Sequence, residues 1–256
     1  MIYKYDSQGP VHVVQISDCH LSGDRTQLIS GINPYLTLKQ VVEKIVTDGE
    51  PVDLLLLTGD LTHDGEAEAY ALLQEVLEPL GLPYFWLPGN HDLSGNMRSA
   101  ARNARLATKQ ILLPNWQILL LDSHVDNEIN GLISQSELSW LATAIKEHSD
   151  KYQAIFVHHH MLPVGCAWID PQRIVNAEQL LTLFDNSERL RIVCNGHVHQ
   201  EWQQSRGHYT VMTTPSTCVQ FKQGSDDFAT DDLPPGYRRF TLRPDGSYQT
   251  TVCRAN

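Results

Sequence analysis

The sequence of 256 residues predicts an α/β protein, a central β-sandwich or mixed sheet flanked by helices with its polar functional groups gathered at one rim. Three observations predict it. Apolar strand-like runs alternate with helical segments over the first two thirds of the chain, and β-like runs and turn signals follow. One run, Val52–Leu57, is apolar almost throughout, as a strand covered on both faces must be. Five such runs end in Asp, His or Asn: Asp18 and His20, Asp60, Asn90 and His91, His158, and His197 and His199. Chemistry in α/β proteins collects at the carboxyl ends of strands, so these residues predict one shared site.

Each element has its own reason. Val11–Ile16 is β-rich and carries Asp18 and His20 to its end. Asn33-Pro34 supplies an N-cap and a proline at the first helical position, with Leu36, Val41, Val42 and Ile45 at roughly helical spacing beyond. Val52–Leu57 is the second strand, and an Ala/Glu/Leu-rich helix is expected from Gly65 to Leu80. Tyr84–Leu87 is the third strand, stopped by Pro88-Gly89 just before Asn90-His91-Asp92. A helix or irregular cap with several arginines follows from Ser94 to about Thr108. Trp116–Leu121 ends at Asp122, and Ser134–Glu137 has the form of a capping box opening a helix to about His148. Ala154–Val157 runs into the triple histidine 158–160, Asn176 caps another helix, and Arg191–Cys194 is the sixth strand. Beyond about residue 200, β-like runs at Tyr209–Met212 and Arg239–Leu242 meet turns at Arg206-Gly207 and Pro244-Asp245-Gly246. With no internal repeat and no low-complexity run, residues 1–256 read as a single domain with a hairpin-rich C-terminal part from about residue 200.

Composition narrows the function. A net charge of −11 repels polyanions and argues against nucleic-acid binding, which rests on Lys and Arg. A small phosphate-bearing substrate stays compatible if local cations outweigh that field. The five scattered cysteines form no Cys-x-x-Cys pair and fit a reducing compartment. No apolar stretch is long enough to span a bilayer, and the first residues lack the pattern of a signal peptide. The expectation is a soluble cytoplasmic protein, monomer or homodimer, with no membrane partner.

Asp18, His20, Asp60, Asn90, His158, His197 and His199 combine carboxylates, imidazoles and one amide without a thiolate. That mixture suits first-row divalent ions, Mn or Fe first with Zn and Co within its range. Seven donors exceed one tetrahedral site and match two metals sharing a ligand, for which Asp60 is the candidate. Two carboxylates leave such a pair of cations net positive even with a bridging hydroxide. The centre would therefore attract phosphate and lower the pKa of bound water. His91, one residue past Asn90, is placed to face substrate and protonate a leaving alkoxide.

The order Asp-x-His, Gly-Asp, Gly-Asn-His-Asp, His, Gly-His-x-His resembles the calcineurin-like metallophosphoesterases, with motifs running from Asp18 to His199. The stretches 158–166 and 214–221 are more specifically similar to bacterial class III 3',5'-cyclic AMP phosphodiesterases. The resemblance implies a four-layer α/β/β/α sandwich with the metal site at strand carboxyl ends. It implies one metal on Asp18, His20, Asp60 and His199 and a second on Asp60, Asn90, His158 and His197. It further implies catalytic roles for His91 and Asp60, and a cyclic nucleotide bound by His20, Asp60, Asn90, His91 and His199. The implied reaction is hydrolysis of cyclic AMP to 5'-AMP. Another phosphodiester or phosphomonoester, or a metal-free interaction module on the same fold, are the alternatives. This sequence departs from the family in carrying His63 where relatives often place a carboxylate that steadies the catalytic histidine. The orienter of His91 is therefore open, as is the choice between His158 and His159; His158 is preferred because it directly ends the apolar run.

Other polar residues are read more plainly. His12, His148 and His208 are structural, His124 lies just past a strand end, and Asp92 is a turn or supporting group. Cys19 should pack away from the ligands that flank it. Arg98, Arg102 and Arg105 form a solvated face or a basic cap, and Asp226, Asp227, Asp231 and Asp232 a solvated acidic loop.

Overall fold

The computed structural model describes residues 1–101 and 108–255. Its strands are β1 Ile2–Lys4, β2 Val11–Ile16, β3 Leu54–Thr58, β4 Tyr84–Leu87, β5 Gln110–Leu112, β6 Trp116–Leu121 and β7 Tyr152–Val157. They continue as β8 Leu190–Asn195, β9 Trp202–Arg206, β10 Tyr209–Thr213, β11 Gln220–Phe221, β12 Thr230–Asp231, β13 Gly236–Leu242 and β14 Tyr248–Arg254. The helices are α1 Pro34–Thr47, α2 Ala67–Leu77, α3 Ser94–Ala100, α4 Gln135–Glu147 and α5 Ala177–Asp185.

Two mixed sheets face each other. The larger runs β1-β5-β6-β7-β8-β10-β9, the smaller β14-β13-β2-β3-β4, and β11 and β12 form a separate two-stranded ribbon. Side-chain alternation accounts for the layers. In β3, Leu55 and Leu57 pack on the α1–α2 side, whereas Leu54 and Leu56 enter the space between the sheets. In β7, Ala154 and Phe156 meet that same inner core, while Ile155 and Val157 face α4 and α5. Phe156 and Phe240 meet edge to face across the inner core at 5.6 Å. The result is helix, sheet, sheet, helix, the four layers implied above.

The helix starts follow the expected chemistry only in part. Asn33 Oδ1 accepts from Leu36 N at 3.1 Å, and α1 buries Leu38, Val41 and Ile45 while Leu36 stays exposed. Ser134 Oγ accepts from Glu137 N, as a capping box requires. The return half is missing, because the Glu137 carboxylate accepts from Asp122 N and pairs with Lys109 instead. Asn176 does not cap α5 with its side chain; it spends its amide on both main-chain groups of Ile133. The expected helix over 65–80 is α2 followed by a short 3₁₀ turn at Glu78–Leu80. The edge strand β1 and its neighbour β5, of three residues each, carry no periodic signal.

Candidate metal centre

The loops after β2 and β3 continue their parallel pairing past the strand ends. Asp18 N donates to Gly59 O at 3.0 Å and His20 N to Asp60 O at 2.9 Å. This pairing sets Asp18, His20 and Asp60 side by side before any metal is considered. The backbone is strained where they sit. Seven non-glycine residues among those described have positive φ, and Asp18, His20, Asp60, His197 and His199 are five of them. Left-handed backbone is costly for such residues and persists where the surroundings over-determine it. Two glycines let the loops close. A Cβ on Gly89 would collide with Asp60 and His158, and one on Gly196 with Ser17 and Asp18.

Among the described residues the donors converge as four overlapping groups, two of which are His20, His63 and His91, and His158, His159 and His197. Asp18, His20 and His199 place donor atoms within 4.8 Å of one another, and so do Asp18, Asp60 and His158. His199 Nε2 lies 3.4 Å from Asp18 Oδ1 and 3.1 Å from His20 Nε2. His158 Nε2 lies 3.3 Å from Asp60 Oδ2 and 3.2 Å from Asn90 Oδ1. Asp18 is common to the groups that hold His199 and Asp60, and Asp60 reaches from the second toward the first. Its Oδ1 accepts from His91 N at 2.9 Å, while Oδ2 faces both His158 Nε2 and, at 3.7 Å, His20 Nε2.

Main-chain carbonyls decide which ring nitrogens face inward. His158 Nδ1 donates to Thr58 O at 2.9 Å and His199 Nδ1 to Val219 O at 2.8 Å, so both Nε2 atoms turn to the centre. His159 is held differently, with Nδ1 2.8 Å from Ser123 Oγ and Nε2 3.0 Å from Ile129 O. Both its nitrogens are engaged away from Asp60, whereas His158 points at it. His160 stacks on His197 at 5.5 Å, and among the described residues neither of its nitrogens has a hydrogen bond, the Asp170 carboxylate lying 3.9 Å from Nε2.

The chemistry of this donor set fits cations. The centre is buried, yet it crowds carboxylate, amide and imidazole lone pairs together with too few protons to join them. His20 Nδ1 and His197 Nε2 have no hydrogen-bond partner among the described residues. Burial holds His20 and His197 well below the usual imidazole range, hence neutral, as metal ligation requires. Burial also opposes ionisation of the Asp60–His158 pair, but their mutual attraction wins. Asp60 is held well below the ordinary carboxylate range, and His158 is raised to about 9 by Asp60, with help from Asp18 and the Thr58 carbonyl.

Supporting residues fall into place around this set. Asp92 is buried and accepts from Leu61 N, Thr62 N, Gly89 N and the Tyr70 hydroxyl, tying the loops that carry Asp60 and Asn90 to α2. Cys19 is fully buried and packs under α1 and α2, away from the centre. His124 contacts Ser94 Oγ at 3.1 Å and is not among the residues lining the cleft over the centre. Arg98 borders a different cavity beside Asp122 and Lys109; Arg102 and Arg105 lie outside the described residues. The cleft, of about 760 Å³, has His20, Asp60, Asn90, His91, His197 and His199 among its lining. Trp168, Phe221 and Phe228 line it too, and no sequence pattern singles out Trp168 or Phe228. Phe228 lies in the acidic loop read as a solvated connection, and Trp168 in a segment with no periodicity.

Residues 11–201 match the calcineurin-like phosphoesterase model, and the chain belongs to that family of phosphoester hydrolases. Among curated proteins it is 35% identical to the 3',5'-cyclic adenosine monophosphate phosphodiesterase CpdA of Haemophilus influenzae, covering 98% of this chain and 93% of that one. It is 34% identical to the 3',5'-cyclic-nucleotide phosphodiesterase alr5338 of Nostoc, covering 96% and 92%. Among solved structures a dimetal phosphatase from Danio rerio shares the fold, with a TM-score of 0.67 at 15% identity over 96% of this chain and 99% of that one.

Proposed function

We propose that this protein hydrolyses 3',5'-cyclic AMP to 5'-AMP on a pair of divalent ions, Mn or Fe in first place. The observation that carries the proposal is Asp60 Oδ2 facing both His158 Nε2 and His20 Nε2, within the overlapping donor groups Asp18–Asp60–His158 and Asp18–His20–His199. On this reading Asp18, His20, Asp60 and His199 hold one ion, and Asp60, Asn90, His158 and His197 the other. Such ions supply charge for the phosphoryl oxygens and a water acidic enough to attack phosphorus at neutral pH. The names of the full-length relatives support the cyclic nucleotide as substrate.

The chain's own contribution is positioning and proton handling. Asp60 takes the His91 main-chain amide on Oδ1, which keeps that oxygen occupied and presents Oδ2. His91 donates from Nδ1 to His63 O, leaving Nε2 as the nitrogen that serves substrate. As the water, its proton released to solvent, adds to phosphorus, the P–O3' bond breaks and the imidazolium Nε2–H protonates the O3' leaving group, with His91 reprotonated from solvent afterwards.

The test compares cyclic AMP with bis(p-nitrophenyl) phosphate, whose leaving group needs no proton. His91→Ala should retain metal and slow cyclic AMP hydrolysis by about 10²–10⁴-fold, far more than the activated diester. Equal losses on both substrates, or loss of metal, would remove the general-acid role. Wild-type protein that cleaves other esters but not cyclic AMP would leave the family and remove the substrate.

A further inference from the structure

We propose that Trp168, Phe221 and Phe228 form a stacking platform for the nucleobase of the substrate, a reading that rests on the cyclic-nucleotide function above. The three rings come from two distant parts of the chain. Trp168 precedes the 3₁₀ turn Asp170–Gln172, Phe221 ends β11, and Phe228 lies in the loop between β11 and β12. They meet as a mutually edge-to-face trio, with centroids 5.0 Å apart for Trp168–Phe221, 5.2 Å for Trp168–Phe228 and 5.5 Å for Phe221–Phe228.

The trio is joined directly to the metal centre. The Phe221 ring stacks on the His199 imidazole at 3.9 Å and 4°, and all three rings line the same cleft as His20, Asp60, Asn90 and His91. Folding explains the inner two rings, because Trp168 and Phe221 pack on Val164, Cys166, Ile169 and Val198. It does not explain the outermost. Phe228 is 58% exposed, and Ile129, 57% exposed, lines the same cleft. Large apolar groups left in water beside a polar catalytic floor serve a ligand better than they serve the fold.

The chemistry of a cyclic nucleotide fits this division. Its phosphate needs cations and proton donors, which the floor provides. Its base has two π-faces and little charge, and aromatic side chains bind such faces with little regard to which base they belong to. The platform therefore selects for the presence of a base more than for its identity. Hydrolysis of a phosphodiester as such needs no aromatic wall.

The experiment uses the metal-loaded protein and three inhibitors of bis(p-nitrophenyl) phosphate hydrolysis, namely 5'-AMP, ribose 5-phosphate and inorganic phosphate. Wild-type protein should bind 5'-AMP more tightly than ribose 5-phosphate. Phe228→Ala should raise the Ki for 5'-AMP about 5- to 100-fold and leave that for phosphate within about twofold. Phe228→Trp should restore the Ki for 5'-AMP, which a role in shaping the loop would not predict. A readout independent of turnover is saturation transfer by NMR from the protein to H2 and H8 of 5'-AMP, expected in wild type and lost in Phe228→Ala. The platform is wrong if ribose 5-phosphate binds wild type as well as 5'-AMP, or if Phe228→Ala leaves 5'-AMP unaffected or shifts 5'-AMP and phosphate alike. Failure of wild-type protein to hydrolyse any cyclic nucleotide is a separate result. It would overturn the proposed reaction, while the comparison of 5'-AMP with ribose 5-phosphate still reads the platform.

Discussion

His91 Nδ1 lies 2.8 Å from the main-chain carbonyl oxygen of His63, and the two imidazole rings stack at 5.2 Å. A carbonyl can only accept, so Nδ1 carries the proton and the tautomer is set without a carboxylate. The side chain that departs from the family pattern is not the group that orients His91.

A specific outcome follows for substitution at position 63. Because the carbonyl survives truncation, His63→Ala should keep kcat for cyclic AMP within about threefold, against the 10²–10⁴-fold loss expected at His91. Parallel pH–rate profiles of the two variants would check it. A loss at His63 comparable to that at His91 would mean that the ring itself is required.

Asp60 and His20 should separate in metal analysis. Asp60→Ala removes the carboxylate that faces both His158 and His20, so elemental analysis should show both ions depleted and activity abolished. His20→Ala removes a donor from one group and should deplete mainly one ion. Normal binding of one ion in the Asp60 variant would contradict the shared position.

Proton release should accompany metal loading. In the metal-free protein His158 is raised to about 9, chiefly by Asp60 against the opposing effect of burial. A raised imidazole stabilises the fold fully below its ordinary value near 6.5, and that contribution is lost as pH climbs through about 9. At about pH 7.5 the proton is still on His158, so metal entry should expel on the order of one proton per chain in a weakly buffered titration. Stability of the metal-free protein should correspondingly fall between neutrality and about pH 9. Absence of release, or the same release from His158→Ala, would contradict the protonated pair.

Asp92 should matter to stability before it matters to chemistry. Asp92→Ala leaves the amides of Leu61, Thr62 and Gly89 and the Tyr70 hydroxyl without their acceptor. Buried donors stranded this way cost about 1–3 kcal/mol each, so a loss of at least about 3 kcal/mol is expected in urea unfolding. Asp92→Asn, which keeps one carbonyl oxygen, should lose less. A variant as stable as wild type would show that these contacts are replaceable.

Local sequence pattern specifies the layered architecture and the strand ends at which polar residues collect. It can do so because both are local. Val11–Ile16, Tyr84–Leu87 and Trp116–Leu121 were bounded as they stand in the structure, since an apolar run stopped by Gly, Pro or Asp carries its limits with it. The ligand-type residues were legible for the same reason, each lying within a few positions of a strand end. Tertiary structure decided what adjacency cannot encode. His158, His159 and His160 are neighbours in the chain, and only the placement of Thr58 O, Ser123 Oγ and Ile129 O turns the first toward Asp60 and the second away. The orienter of His91 is a main-chain carbonyl, and every residue has one, so no side chain in the sequence could announce it. Ser134 and Glu137 promised a reciprocal cap, but Asp122 N and Lys109, brought near by the sheet, took the carboxylate. Trp168, Phe221 and Phe228 have no shared period and become one surface only when the β11–β12 ribbon folds over the cleft. Residues close in the chain declare their chemistry through pattern; residues joined across it do so only after the sheets have stacked.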